Sequence, residues 1–165
     1  MTRALWMLLV LVCTTCSRVD GAAQHVFEAP RRETFVPLHA VLRARCGTLD
    51  CHGSASRNFR VYGENGLRLA PDARLDEAAT APEEVDQTYV STISLEPELL
   101  STVFSQAGAD PERLTIVRKA RGSEVHEGGA QAPENSDADR CLIAWLGGAA
   151  DADACSRGAA LVRPP

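Results

Sequence analysis

The sequence predicts an all-α fold, a small helical domain with long polar loops. Three observations predict it. Apolar residues recur three and four apart in 34–45 and again in 137–146; prolines stand at helix-entry positions 97 and 111; and alternation is confined to two short runs within 58–69. A length of 165 residues suits one domain of ordinary size.

In 34–45, Phe35, Leu38, Val41 and Leu42 share one helical face. Thr34 reads as the N-cap, Pro37 as a first-turn proline that needs no donor, and Gly47 as the left-handed residue that ends the helix. Residues 24–33 ahead of it read as a tether without periodicity. The two alternating runs around Gly63-Glu64-Asn65-Gly66 predict a small hairpin. Residues 71–98 form an acidic insert, with Asp72, Asp76, Glu77, Glu83, Glu84, Asp86, Glu96 and Glu98 against Arg74, a local charge of −7. It reads as a solvated loop, the alternative being an acidic docking face for a basic partner.

A helix over 96–106, entered by Pro97, comes next. Another spans 111–121, with Asp110 as N-cap, Pro111 at its first position, Leu114 and Val117 on its apolar stripe and Gly122 at its end. Residues 122–135 are turn-rich and read as loop. The last helix, 137–146, begins after Ser136 and buries Cys141, Leu142, Trp145 and Leu146, with Trp145 in the core. Gly147-Gly148 stops it, and 151–165 read as a C-terminal tail.

Charge and hydropathy narrow the function. A formal charge of −5 excludes an ordinary nucleic-acid binder, which needs a basic footprint. The only long apolar run is at the N-terminus, so nothing downstream spans a membrane. There, Arg3 precedes an apolar stretch over 4–13, and Gly21-Ala22-Ala23 offers a small-residue cleavage site, which predicts a signal peptide over 1–23. The alternative end of that signal is lipidation at Cys16, although Thr15 stands where lipoprotein signals prefer Gly or Ala. The expected location is the periplasm or, as a lipoprotein, the outer membrane of a Gram-negative bacterium; a lipid anchor would be the sole membrane attachment. Removal of 1–23 leaves 15 basic and 21 acidic residues and four cysteines, Cys46, Cys51, Cys141 and Cys155. An oxidising compartment permits disulfides among them and also covalent haem attachment.

The chemical signature is Cys46-Gly47-Thr48-Leu49-Asp50-Cys51-His52-Gly53, a C-x4-C-H-G run directly after an amphipathic helix. Covalent haem needs two thiols for two vinyl groups and an imidazole beside the second thiol, usually spaced C-x-x-C-H. Two extra residues bulge from such a loop without moving either sulfur, and Gly47 makes the bulge cheap. Two other readings stand beside it: a small-loop disulfide between Cys46 and Cys51 with His52 an exposed neighbour, and a metal site, which for zinc would want four clustered ligands.

Taken together, Phe35 to Leu42, the C-x4-C-H-G run, Gly66-Leu67-Arg68-Leu69, His126-Glu127-Gly128-Gly129, and Cys141 to Trp145 with Gly148-Ala149 resemble the small cytochrome-c-like haem-binding domains. Such domains occur in exported proteins and lipoproteins of myxobacteria and planctomycetes. The resemblance covers about 34–150, with 71–98 matching poorly, and its motifs are short. It implies a helical domain whose first and last helices cross beside a covalent haem c, with Cys46 and Cys51 as thioether positions and His52 as proximal ligand. Two features depart from that pattern: the attachment spacing and the absence of a methionine ligand.

The only methionines are Met1 and Met7, both within the expected signal peptide, so a Met axial ligand is excluded in the mature chain. Among the other histidines, His25 lies in the tether and His39 on the polar-leaning side of its helix, where solvent contact is expected. His126 lies in a Gly-flanked loop before the last helix, where cytochromes of this type present a sixth ligand; the alternatives are an ordinary loop histidine or an open iron site. His52 and His126 are therefore the expected bis-histidine pair, which lowers the reduction potential relative to Met/His ligation. Cys141 and Cys155, 14 residues apart, read as a structural disulfide worth about 3 kcal/mol.

No nucleophile–base pair, phosphate loop or carboxylate cluster stands out, so an electron carrier or binding domain is expected rather than an enzyme. The leading reading is a monohaem c-type electron-transfer protein whose partner is a redox protein, with a basic docking face if the acidic insert is the contact. The alternative is a haem-free, disulfide-stabilised envelope interaction domain in which 46–53 form a pinned loop. An open sixth position would instead make a haem sensor or ligand-binding protein.

Overall fold

The computed structural model describes residues 26–70 and 79–160; the expected signal peptide, Cys16, His25, part of the acidic insert and the last five residues lie outside them. The fold is all-α: six helices, and no strand among the described residues.

Helix α1 (Arg32–Cys46) buries Phe35, Leu38, Val41 and Leu42, as its periodicity predicts. It starts two residues earlier than expected. Thr34 does not cap it; its hydroxyl donates to the Arg31 carbonyl at 2.7 Å. The first turn is instead held from outside, by Arg32 pairing with Asp86. Pro37 therefore lies inside the helix rather than in its first turn. Gly47 ends the helix with φ −85°, not in the left-handed region. Its lack of a side chain answers to space instead: a Cβ there would stand 2.7 Å from the Arg43 carbonyl oxygen and 3.1 Å from Val61.

His39 is not solvent-facing. It is 4% exposed, and Nε2 donates to the Tyr62 carbonyl at 2.9 Å, tying α1 to the loop after the motif. That loop is not a hairpin; its only pairing is an isolated parallel bridge between Tyr62 and Leu67.

Helix α2 (Pro82–Ile93) corrects the reading of the acidic insert as loop. Its buried face is Glu84, Val85, Thr88 and Thr92, which keeps helical spacing but is mostly polar, so no apolar stripe announces it. Glu84 accepts from Arg68 Nε at 2.7 Å, from Leu69 N at 3.1 Å and from Ala81 N at 2.9 Å. Thr88 Oγ1 accepts from Tyr62 N at 2.9 Å. These bonds satisfy groups that burial would otherwise penalise.

Helix α3 (Pro97–Ser105) lies where it was expected and buries Leu100 and Val103. The next segment is not one helix but a 3-10 turn, Pro111–Arg113, followed by α4 (Thr115–Arg121). Asp110 is left-handed and caps nothing, and Leu114 between the two pieces is extended. A remote carboxylate makes the restart possible: Glu96 accepts from Thr115 N at 2.7 Å and from its hydroxyl at 2.9 Å. Gly122 ends α4 at φ 78°, as the sequence predicts.

Helix α5 (Asp137–Leu146) carries its expected Ser136 cap and buries Cys141, Leu142, Trp145 and Leu146. Trp145 sits in the core edge-on to Phe35, ring centres 5.3 Å apart. Residues read as a plain tail contain helix α6 (Ala152–Ala159), capped by Asp151 and packed on α5 and α1 through Ala154, Cys155 and Gly158. The Cys141–Cys155 disulfide joins α5 to α6. A Cβ on Gly158 would come within 2.8 Å of the Ala138 backbone, so the two helices meet at a distance only glycine allows.

Candidate functional site

The C-terminus of α1 delivers Cys46, and the following loop closes on itself. Cys51 N donates to Thr48 O, His52 N to Cys46 O, and Gly53 N to Thr48 O, each at 2.9 Å. Thr48, Leu49 and Asp50 thus stand outward, Gly47 stays buried, and the His52 N–H returns to the Cys46 carbonyl. Gly53 and Gly66 press against this turn, and a Cβ on either would lie 2.0 Å from the Gly47 carbonyl oxygen.

His52 Nδ1 donates to the Phe59 carbonyl at 3.0 Å, and its ring packs on the Phe59 ring with centres 4.8 Å apart. That bond fixes the tautomer and leaves Nε2 with its lone pair. Burial pushes the His52 pKa down against the lift from the Phe59 carbonyl, and His126, Arg57 and Lys119 lower it further. The ring is therefore neutral at pH 7, the form that ligates metals.

His126 arrives from the loop between α4 and α5. Its Nδ1 donates to the Gly129 carbonyl at 3.3 Å, again leaving Nε2 to face elsewhere. The two imidazoles are nearly parallel, 17° apart, with centres separated by 5.8 Å. Both border a cavity of about 350 Å³ walled by Val41, Leu42, Leu95, Ile116, Ala120 and Leu142, with Cys46 in its lining. Both also border an adjoining cavity of about 550 Å³ that Cys51 lines. Cys46 and Cys51 are free thiols. Burial, then the neighbouring Cys51, pushes the Cys46 thiol up to about 12. It is a thiol rather than a thiolate at neutral pH, which disfavours metal binding through it.

The structure therefore brings Cys46, Cys51, His52 and His126 to one place and leaves His39 and the Cys141–Cys155 disulfide elsewhere. Sequence reasoning missed several wall residues. Ile116 and Leu95 carry no pattern that marks them, and Lys119, the only lysine of the chain, was visible but unassigned.

No family model matches the chain, and no curated protein or solved structure does either.

The donor set bears on what could bind. Among the described residues no group of three or more His, Cys, Asp or Glu could hold a bare ion. A bare ion here would have two imidazoles and apolar walls. A planar group that brings its own equatorial ligands needs only those two imidazoles. The two imidazoles stack with ring centres 5.8 Å apart, and both line the apolar cavity.

Proposed function

We propose that this cavity holds a haem c, attached through Cys46 and Cys51 and ligated by His52 and His126, and that the protein is a monohaem electron-transfer protein. The carrying observation is the histidine pair: two rings 5.8 Å apart, each with Nδ1 bound to a backbone carbonyl, over an apolar cavity beside two free thiols. Haem iron, when bound, supplies one-electron exchange. The chain's own groups do the rest. The Phe59 carbonyl orients His52, the Gly129 carbonyl orients His126, and the wall from α1, α4 and α5 limits water at the site.

The signal peptide, the periplasmic or outer-membrane location and the redox partner belong to the same proposal. The surplus of acidic residues favours a partner with a basic face. Of the insert's acids, Glu84 is buried and unavailable for docking, whereas Glu83 and Asp86 are exposed.

The test is expression of the full chain with a c-haem maturation system, followed by denaturation. Haem that stays with the polypeptide, and is lost in Cys51→Ser, supports the proposal. No haem under conditions that mature a control cytochrome overturns it.

A further inference from the structure

The segment that carries His126 has an unusual hold on the domain. It runs from Gly122, which ends α4, to Ala132, whose N–H donates to the Ala120 carbonyl at 2.8 Å. Between these ends its one large apolar side chain, Val125, is 95% exposed, so hydrophobic burial does not fasten it. Charge does. Glu124 lies 2.8 Å from Arg118 Nε and 3.1 Å from Lys119 Nζ, and Lys119 also donates to the Val125 carbonyl at 3.3 Å. On the other side of His126, Glu127 lies 3.9 Å from Arg57 Nη2, across the mouth of the second cavity. The two acids flanking His126 are thus paired to opposite banks of the site, one to α4 and one to the loop after the motif.

We propose that 123–129 form a strap fastened over the site by these two ion pairs, and that the fastening governs how readily His126 gives way to a small external donor. This rests on the haem reading for its ligand but not for its mechanics. Exposed pairs are weak and screened by salt, so the strap is a releasable cover rather than a fixed wall. Lys119 and Arg57 are positioning residues: they touch the strap, and they act on the site through His126. Released, the strap opens the position facing His52 to small neutral donors such as imidazole or carbon monoxide.

The experiment has two arms on the full chain. The first follows amide hydrogen exchange of 123–129 in the haem-free protein, for the wild type, Glu124→Gln, Glu127→Gln, the double variant, and Asp137→Asn. The last removes the same charge from two ion pairs away from the site, to Arg140 within α5 and to Arg157 of α6, and serves as control. Exchange faster by up to about fivefold for each pair removed is expected. A similar rise is expected in the wild type between about 0.01 M and about 1 M salt, with little further rise in the double variant. Unchanged exchange in the double variant overturns the fastening.

The second arm titrates imidazole into the haem-loaded proteins by absorbance. Tighter binding in the double variant, by the factor seen in exchange, is expected, and an unchanged affinity overturns the control of access. A chain that retains no haem overturns the haem reading, and the exchange arm then decides the strap alone.

Discussion

Arg68 donates through Nε to Glu84 Oε1 at 2.7 Å, and the two side chains are only 7% and 2% exposed. A charge so enclosed is tolerated because the pair and two backbone N–H groups satisfy it. Burial raises the Glu84 pKa, but the Arg68 guanidinium and the N–H groups of Ala81 and Leu69 outweigh it and hold the carboxyl below its usual range. Glu84→Gln removes the carboxylate charge from this buried pair and is expected to cost about 1–3 kcal/mol in urea unfolding. A loss under about 1 kcal/mol would show that the pair contributes little.

His39 sets a pH dependence of the same sign, nearer neutral pH. Burial is the main cause of its lowered pKa, with the Tyr62 carbonyl partly opposing it. Between the unfolded value of about 6.5 and the lower folded value, the unfolded chain binds the extra proton and the folded chain does not. Stability contributed by neutral His39 is therefore full above about 6.5 and declines as pH falls below it. Unfolding measured at a series of pH values should show that decline in the wild type and a flatter profile in His39→Gln.

The disulfide gives a third expectation. Replacing Cys141 and Cys155 together by alanine removes the side-chain cross-link between α5 and α6 and should cost about 3 kcal/mol. Thermal unfolding of the double variant, with and without reductant, measures it, and reductant should then have no further effect on the variant.

Crowding at the motif gives a fourth. A Cβ on Gly53 would lie 2.0 Å from the Gly47 carbonyl oxygen, backbone against backbone, with no flexible side chain to yield. Gly53→Ala should cost about 3 kcal/mol or more, and the yield of covalently bound haem should fall with it. A variant as stable as the wild type would mean that the loop re-forms around the methyl.

A fifth concerns the iron. With imidazole on both faces the reduction potential should lie below that of Met/His cytochromes. Voltammetry of the haem-loaded protein checks this, and a potential in the Met/His range would exclude His126 as ligand.

How legible the molecule was in its sequence depended on how each surface is made. The faces of α1 and α5 are built from Phe, Leu, Val and Trp, so their period shows. Helix α2 packs with Glu84, Thr88 and Thr92, and α6 with Ala154, Cys155 and Gly158, so neither has a hydrophobic stripe to read. Asp110 and Leu114 misled because the cap of α4 comes from Glu96, a partner 19 residues upstream. At the candidate site, Cys46, Cys51, His52 and His126 were all marked by residue type and spacing. Their shared cavity was not, since Leu95 of the turn before α3, Ile116 and Ala120 of α4, and Leu142 of α5 come together only when the chain folds.

The seating of α6 against α1 has a consequence for biosynthesis. The first helix to emerge must wait for the last to cover it, and Cys155 is the final described cysteine to leave the ribosome. In the oxidising compartment proposed above, Cys46, Cys51 and Cys141 would be exposed to oxidation before the native partner of the third arrives. Four cysteines allow three fully paired arrangements, and all three consume the thiols at the motif. Maturation there would be a race between premature cross-linking and the arrival of the α6 turns.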